Sequence, residues 1–368
     1  MKILHVYKDY FPVVGGIENH IKLLAERQAE DGHQVTVLVT SPGAKTTEEL
    51  SRGVRVIKAA RLATLASTPL SLSLPWHLWK QHPDVTHLHF PYPVAEVSQY
   101  LLGRSRATVL TYHSDVVRQR HILRVYRPLM LRALAKVDRI IVTTPKYLQS
   151  SPVLQLFQPK CSVVPYGIDR RRFLSVDQKA VQALRRRYGG GPLLLFVGVL
   201  RYYKGVNYLL EAMPQVSARL LVVGDGPMRT TWEAQARDLG LGDKVVFVGR
   251  VSDEELPIYY HAADIFVLPA SERSEAFGLV QVEAMSSGLP VVSTELGTGT
   301  SYVNCHGESG LVVPPRDPQA LAEALNCLLR DEALRQRLAK GALARSEFFS
   351  LERMMRDIYR VYEQALKS

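Results

Sequence analysis

Twelve short runs rich in Val, Ile and Leu punctuate this chain of 368 residues, separated by stretches with helical spacing. KILHVY, QVTVLVT, DVTHLHF, ATVLTYH, RIIVTT and CSVVPYG form one series; PLLLFVGVL, ARLLVVG, KVVFVGRV, ADIFVLPA, PVVSTEL and GLVVPP form a second. Strands that are apolar throughout belong to parallel sheets covered by helices on both faces. Two such series, in a chain too long for one ordinary core, predict two doubly wound α/β domains facing a cleft. The change-over is expected within residues 166–192, where YGIDRRRF, a charged helix and the run Gly189-Gly190-Gly191 intervene. The domains are accordingly placed at 1–172 and 188–349, with a last helix over 350–368 returning to the first.

The three cysteines, Cys161, Cys305 and Cys327, are scattered, odd in number and without the paired spacing of a zinc site. That pattern points to a reducing cytoplasm and away from a disulfide framework. The opening MKILHVYKDY breaks at Lys8-Asp9, too early for a targeting signal. The longest apolar run, residues 193–200, has strand length and cannot span a bilayer. Charge is unevenly placed: residues 1–172 carry net +12 of the total +11, and the remainder −1. Arg118, Arg120, Arg124, Arg127, Arg132, Lys136 and Arg139 alternate with Ile122, Leu123, Val125, Leu129, Met130, Leu134 and Val137. Two readings fit this basic run. One is an amphipathic helix resting peripherally on an anionic membrane; the other is a solvated helix whose apolar stripe packs on the sheet. No aromatic stacking motif or recognition module supports a nucleic-acid partner.

In open parallel sheets, ligands bind beyond the carboxyl ends of the strands, and the polar motifs of this chain fall there. Gly15-Gly16-Ile17-Glu18 follows the first strand run and opens a helix with Ile17, Ile21, Leu24 and Ala25 on one face. Bare backbone at a helix start suits an anion or a sugar. His113 ends the fourth run, and His87 and His89 share one face of the third; two histidines without a third ligand favour packing over metal. Arg201 and Lys204 follow Gly198 in FVGVLRYYKG, two cations suited to a pyrophosphate. Gly224-Asp225-Gly226-Pro227 and Val248-Gly249-Arg250-Val251 are further strand-end turns.

The segment SERSEAFGLVQVEAMSSGLP sets Glu275 and Glu283 eight residues apart around Phe277, Gly278 and Leu279. A helix starting near Gly278 would carry Glu283 and leave Glu275 in the loop before its N-terminus, where exposed N–H groups attract anions. One carboxylate would then take sugar hydroxyls and the other ribose hydroxyls; the plainer reading is a solvated Glu283 and a cap-region Glu275. No Asp-x-Asp occurs, so no metal is expected at a diphosphate, and no GxxxxGK[ST] loop occurs either.

Taken in order, GGIE, HLHFPYP, TYHSD, VVPYGID, FVGVLRYYKG, VVGDGP, SEAFGLVQVEAM, GLPVVST and GLVVPPRDPQALAEAL resemble the retaining family-4 glycosyltransferases. The resemblance runs nearly end to end and is strongest toward bacterial polysaccharide and O-antigen mannosyltransferase-type members. It implies the GT-B fold of two Rossmann-like domains, a nucleotide-sugar donor, a carbohydrate or lipid-linked acceptor, and no metal cofactor. It further implies that Gly16 faces the diphosphate with Gly15 beside it, that His113 contacts the donor sugar and that Lys204 neutralises the leaving phosphates, which Arg201 would reach only with a shift of its loop. Glu275 would bind donor-sugar hydroxyls, the amides of Phe277, Gly278 and Leu279 the sugar and phosphate, Glu283 the ribose, and Arg250 and Val251 the base. Relatives carry Arg where this chain has Val199, and the loop Gly297–Thr300 replaces a commoner acidic form, which suggests a role in acceptor choice.

Transfer of a hexose, with mannose from GDP-mannose preferred over UDP-linked sugars, is the leading expectation. A nucleotide-sugar 2-epimerase on the same fold would release free sugar without an acceptor. A non-catalytic membrane- or nucleic-acid-binding protein would bind lipid or oligonucleotide without nucleotide sugar.

Overall fold

The computed structural model describes residues 1–13, 15–65, 68–115 and 120–368. They form two compact units, Met1–Pro165 with Met354–Ser368, and Tyr166–Arg353.

The first unit is built on eight strands: β1 (Lys2–Val6), β2 (Gln34–Thr40), β3 (Thr47–Ser51), β4 (Val54–Ala59), β7 (Val85–Phe90), β8 (Ala107–Tyr112), β9 (Arg139–Val142) and β10 (Cys161–Val163). A separate antiparallel hairpin pairs β5 (Ala63–Leu65) with β6 (Thr68–Leu70). The sheet order is β10-β9-β8-β7-β1-β2-β4-β3, parallel except for the antiparallel β3 edge. The six strands expected from apolar runs are all present. The β3–β4 pair carries no such run: β3 is exposed throughout and β4 alternates Arg55 and Lys58 with buried Val54, Val56 and Ile57. An edge strand with one solvated face needs only half the apolar residues, so an unbroken-run criterion passes over it.

The second unit has β11 (Leu193–Val197), β12 (Arg219–Val223), β13 (Val245–Gly249), β14 (Ile265–Leu268), β15 (Val291–Thr294) and β16 (Gly310–Val313). All pair in parallel in the order β13-β12-β11-β14-β15-β16. This is the doubly wound arrangement in which strand order reverses between the first and fourth strands. Its core is continuous, from Leu194, Leu195 and Phe196 through Val267 and Leu268 to Leu325 and Leu338. At about 25 cal/mol per Å² of apolar area, such strands supply the driving force that fixes where their terminal loops stand. The loops after β11 and β14 leave from neighbouring strands at the reversal point.

Two helices bear on the first unit's polar groups. Gly16–Glu30 buries His20, Ile21, Leu24, Ala25 and Gln28. The helix Leu351–Leu366 buries Met354, Met355, Ile358, Val361, Tyr362 and Ala365. Its Tyr359 hydroxyl donates to Asp31 at 2.8 Å, and Gln28 Nε2 donates to Tyr362 Oη at 3.1 Å. In the basic helix Arg120–Lys136, Met130, Ala133 and Leu134 are buried while Arg124, Arg127, Arg132 and Val125 face solvent. Part of the apolar stripe is therefore consumed by packing within its own unit. Arg118 lies outside the described residues, as do the side chains of Ile122 and Leu123. Among the described residues, no helix is long and apolar enough to cross a membrane.

Candidate active site

The second unit gathers a charged pair at the strand-order reversal. After β11 the chain crosses Gly198, turns once through Tyr202–Lys204 and enters the helix Val206–Ala212. Gly205 makes that entry possible. It adopts φ 67°, and a β-carbon there would stand 2.1 Å from the Pro269 carbonyl oxygen, so the β11 loop lies directly against the end of β14. Ser271 N–H donates to Tyr203 O at 2.8 Å and ties the two loops together. Lys204 Nζ and Glu275 Oε2 consequently meet at 2.6 Å, with the two residues only 9% and 7% exposed. Burial by itself would pull the Lys204 ammonium down, but Glu275, helped by Tyr203, outweighs it and holds the group above the ordinary lysine value. A cation kept charged in a largely dry site is what a developing phosphate anion requires.

Backbone close-packing fixes the rest of this loop cluster. Gly198 lies against the Lys204 side chain, its would-be β-carbon 3.5 Å from Nζ. The SEAFGL loop is held from behind by Gly297–Thr300: Thr298 Oγ1 donates to Glu275 O at 2.8 Å and Gly299 N–H to Ala276 O at 2.7 Å. The sequence suggested acceptor choice for that loop; its observed contacts are with the loop that carries Glu275.

The helix Leu279–Ser286 begins where expected, with Gly278 at φ 79° as its N-cap. Phe277 is buried against Tyr166 and Phe349 at ring distances of 5.0 and 5.7 Å, so its side chain is taken up by packing. Glu283 sits on the helix and accepts from the Tyr260 hydroxyl at 2.7 Å. Burial raises its carboxyl to about 6 against the pull of that hydrogen bond. Arg201 differs from Lys204 in being exposed. Arg250, also exposed, and half-buried Val251 follow β13, while Val199 occupies the loop after β11.

In the first unit, Gly15 caps the helix Gly16–Glu30 in an extended conformation, and a β-carbon there would meet the Glu18 carboxylate. Gly16 has open space where a side chain would be, leaving a bare helix N-terminus. His113 follows β8 and is 2% exposed, stacked on His89 with ring centroids 5.2 Å apart. Burial, with His20 adding to it, holds its imidazole well below the ordinary value, so the ring is neutral.

The sequence did not single out His5, His20, Gln28 or Tyr362. Strand register brings in His5, which on β1 lies beside His87 on β7, with His89 beside Thr111 on β8; the helices Gly16–Glu30 and Leu351–Leu366 supply the other three. Their only early signal is polarity in otherwise apolar strands and on a buried helix face. His5, His87 and His89 place one nitrogen each within 4.8 Å of one another, the group among the described residues with metal-like spacing. Each ring is already hydrogen-bonded, His5 to His89 at 3.1 Å and His87 to Tyr362 at 2.7 Å, which is how buried polar rings are satisfied without an ion.

Residues 14–172 match the family described as Glycosyltransferase Family 4, and residues 177–345 match Glycosyl transferases group 1. A D-rhamnosyltransferase, WbpZ, of Pseudomonas aeruginosa is 39% identical over 94% of this chain and 91% of its own length. An O-antigen chain mannosyltransferase C of Escherichia coli is 36% identical over the full length of both chains. Sucrose-phosphate synthase of Thermosynechococcus elongatus superposes over 99% of this chain and 98% of its own with TM-score 0.82 at 26% identity. With two doubly wound units and these relatives, the chain belongs to the family-4, group 1 glycosyltransferases of the GT-B fold.

Proposed function

We propose that the enzyme transfers a hexose, with retention of anomeric configuration, from a nucleoside diphosphate sugar to a carbohydrate or lipid-linked acceptor during cytoplasmic polysaccharide synthesis. The observation that carries this reading is the buried Lys204–Glu275 pair at the strand-order reversal. Lys204 supplies positive charge to the departing diphosphate, with exposed Arg201 reaching its outer oxygens in place of an arginine at Val199. Glu275 accepts from donor-sugar hydroxyls, the Phe277–Leu279 backbone and Gly198 line the sugar and phosphates, and Glu283 accepts from the ribose. Arg250 and Val251 hold the base. Gly15 and Gly16 offer backbone to the diphosphate, and His113 meets the sugar. Front-face displacement follows, with the leaving phosphate taking the acceptor proton and no metal required.

GDP-mannose is the preferred donor. Support comes from the mannosyltransferase relative and from a GDP-mannose-dependent phosphatidylinositol monomannoside mannosyltransferase of Mycobacterium tuberculosis, 29% identical over 94% of this chain. Exposed Arg124, Val125 and Arg127 on the basic helix support peripheral contact with an anionic membrane.

The test is thermal stabilisation by GDP, UDP, ADP and their sugar conjugates. A donor at a hundredfold its dissociation constant adds ~2.7 kcal/mol, and GDP compounds are expected to give it. Stabilisation by UDP compounds alone removes GDP-mannose; indifference to every nucleotide removes the donor site as drawn.

A further inference from the structure

The second unit also holds a solvent-open cavity of about 290 Å³ whose walls include none of Lys204, Glu275 or Glu283. It is formed by the helices Val206–Ala212 and Arg229–Asp238 and by the loops after β11, β14 and β16. Those two helices connect β11 to β12 and β12 to β13, stepping one way along the sheet, whereas Leu279–Ser286 connects β14 to β15 in the opposite direction. Right-handed crossovers put the first two on one face and the helix of Glu283 on the other. The sheet therefore separates this cavity from Glu283.

The chemistry of the walls narrows the occupant. Ser271 is nine-tenths buried, and only its backbone is engaged: its N–H donates to Tyr203 O, while its hydroxyl has no protein partner among the described residues. Asn207 likewise uses only its backbone, whose carbonyl accepts from Gln235 at 3.2 Å, so its side-chain amide is left for a ligand. The Tyr208 ring is half-buried, and its hydroxyl too lacks a protein partner. The two charged residues of the wall answer each other, Arg316 Nη2 standing 3.5 Å from Glu272 Oε1; Arg316 holds φ 60°, a conformation usually left to glycine. A wall with balanced charge offers no net attraction to a phosphate or carboxylate. An apolar ligand would strand the Ser271 and Asn207 groups. What remains is a neutral ligand with both an apolar face and many hydroxyls, which describes a sugar ring. Small-molecule sites run from about 300 to 1,000 Å³, so this one suits a single sugar residue and is too small for a whole nucleotide sugar.

We infer that the cavity is a saccharide subsite, separate from the donor site, that takes one neutral hexose residue. Tyr208 packs on the ring, and Asn207, Ser271 and the Tyr208 hydroxyl bond its hydroxyl groups. The residue so held rests on the loops after β11 and β14, the same loops that carry Lys204 and Glu275. The inference does not depend on which donor the enzyme uses.

The test is methionine-methyl NMR of the whole protein, since Met228 lines the cavity and Met228→Leu assigns its signal. Methyl α-D-mannopyranoside, titrated through the millimolar range, is expected to move the Met228 signal along a saturable curve and to leave Met285, on the helix of Glu283, in place. Asn207→Ala removes one ligand partner and should weaken binding about tenfold, the size of one hydrogen bond. Thr231→Trp fills the cavity from an exposed helix position and should abolish the shift. Both variants are expected to keep the parent's melting temperature, which separates a blocked cavity from a lost fold. A Met228 signal indifferent to the sugar overturns the inference, as does one that responds in both variants as it does in the parent. Equal movement with glycerol or inorganic phosphate overturns it too. A mannotrioside that binds more tightly than the monosaccharide makes the occupant a residue of a glycan chain, and equal binding makes it a free sugar; either result upholds the subsite.

Discussion

Replacing Lys204 by Met puts the buried pair to its most direct trial. The Lys204 and Glu275 side chains are 11% and 10% exposed and meet at 2.6 Å. Removing only the cation leaves a carboxylate in a site that excludes most water. Breaking a buried pair in this way costs about 3–5 kcal/mol, whereas replacing both charges by neutral groups of similar volume is often nearly neutral. For a unit of this size each kcal/mol moves the melting temperature by about 2–4 °C. Lys204→Met should therefore lower melting of the ligand-free protein by about 6–20 °C, and Lys204→Met with Glu275→Gln should recover most of that. Turnover separates the two roles of Lys204. It should fall about 10²–10³-fold in both variants, because the leaving diphosphate lacks its cation whether or not the fold is restored. Calorimetry of the two single variants and the double variant, beside single-turnover rates, reads both effects. A single variant within ~1 kcal/mol of the parent, or a double variant that sums the two single losses, would refute the reasoning from burial.

Two further outcomes follow from the first unit. Glu96 accepts from Tyr92 N–H at 2.8 Å and from the Tyr126 hydroxyl; burial raises its carboxyl to about 7 despite those bonds. Its folded value lies above the unfolded one, so its contribution is intact below about pH 4.5 and is lost as pH rises through 7. Glu96→Gln should remove about 3 kcal/mol of that decline, seen as a flatter melting temperature from pH 5 to 8; an unchanged slope assigns the pH dependence elsewhere. The protein should sediment with phosphatidylglycerol-rich vesicles, less so at high salt, and Arg124→Glu with Arg127→Glu should weaken that binding; equal binding to neutral vesicles would remove the basic helix from the contact.

Most of the sheet architecture was legible because fully buried parallel strands leave long apolar runs, and every such run became a strand. The β3–β4 edge was not, because Arg55 and Lys58 break its pattern on the solvated face. At the site, spacing placed Glu275 before a helix and Glu283 within it, as observed. It could not show that Lys204 and Glu275 pair, since that depends on β11 and β14 being neighbours across a gap of some seventy residues. The histidine cluster was hidden for the same reason. His5, His87 and Thr111 come together only through lateral register between three strands, and register is written in no single segment.

The return of the last helix to the first unit has a consequence for biosynthesis. Tyr362 satisfies both Gln28 and His87, yet it is made after the whole of Tyr166–Arg353. At about 5–20 residues per second that interval lasts roughly 10–40 s. Throughout it, the emerging N-terminal half carries a row of buried-to-be imidazoles without their closing hydroxyl. The nascent first unit is therefore an open face awaiting its cover, and a ribosome stalled before the final helix would release a chain whose apolar sheet is exposed to chaperones and proteases.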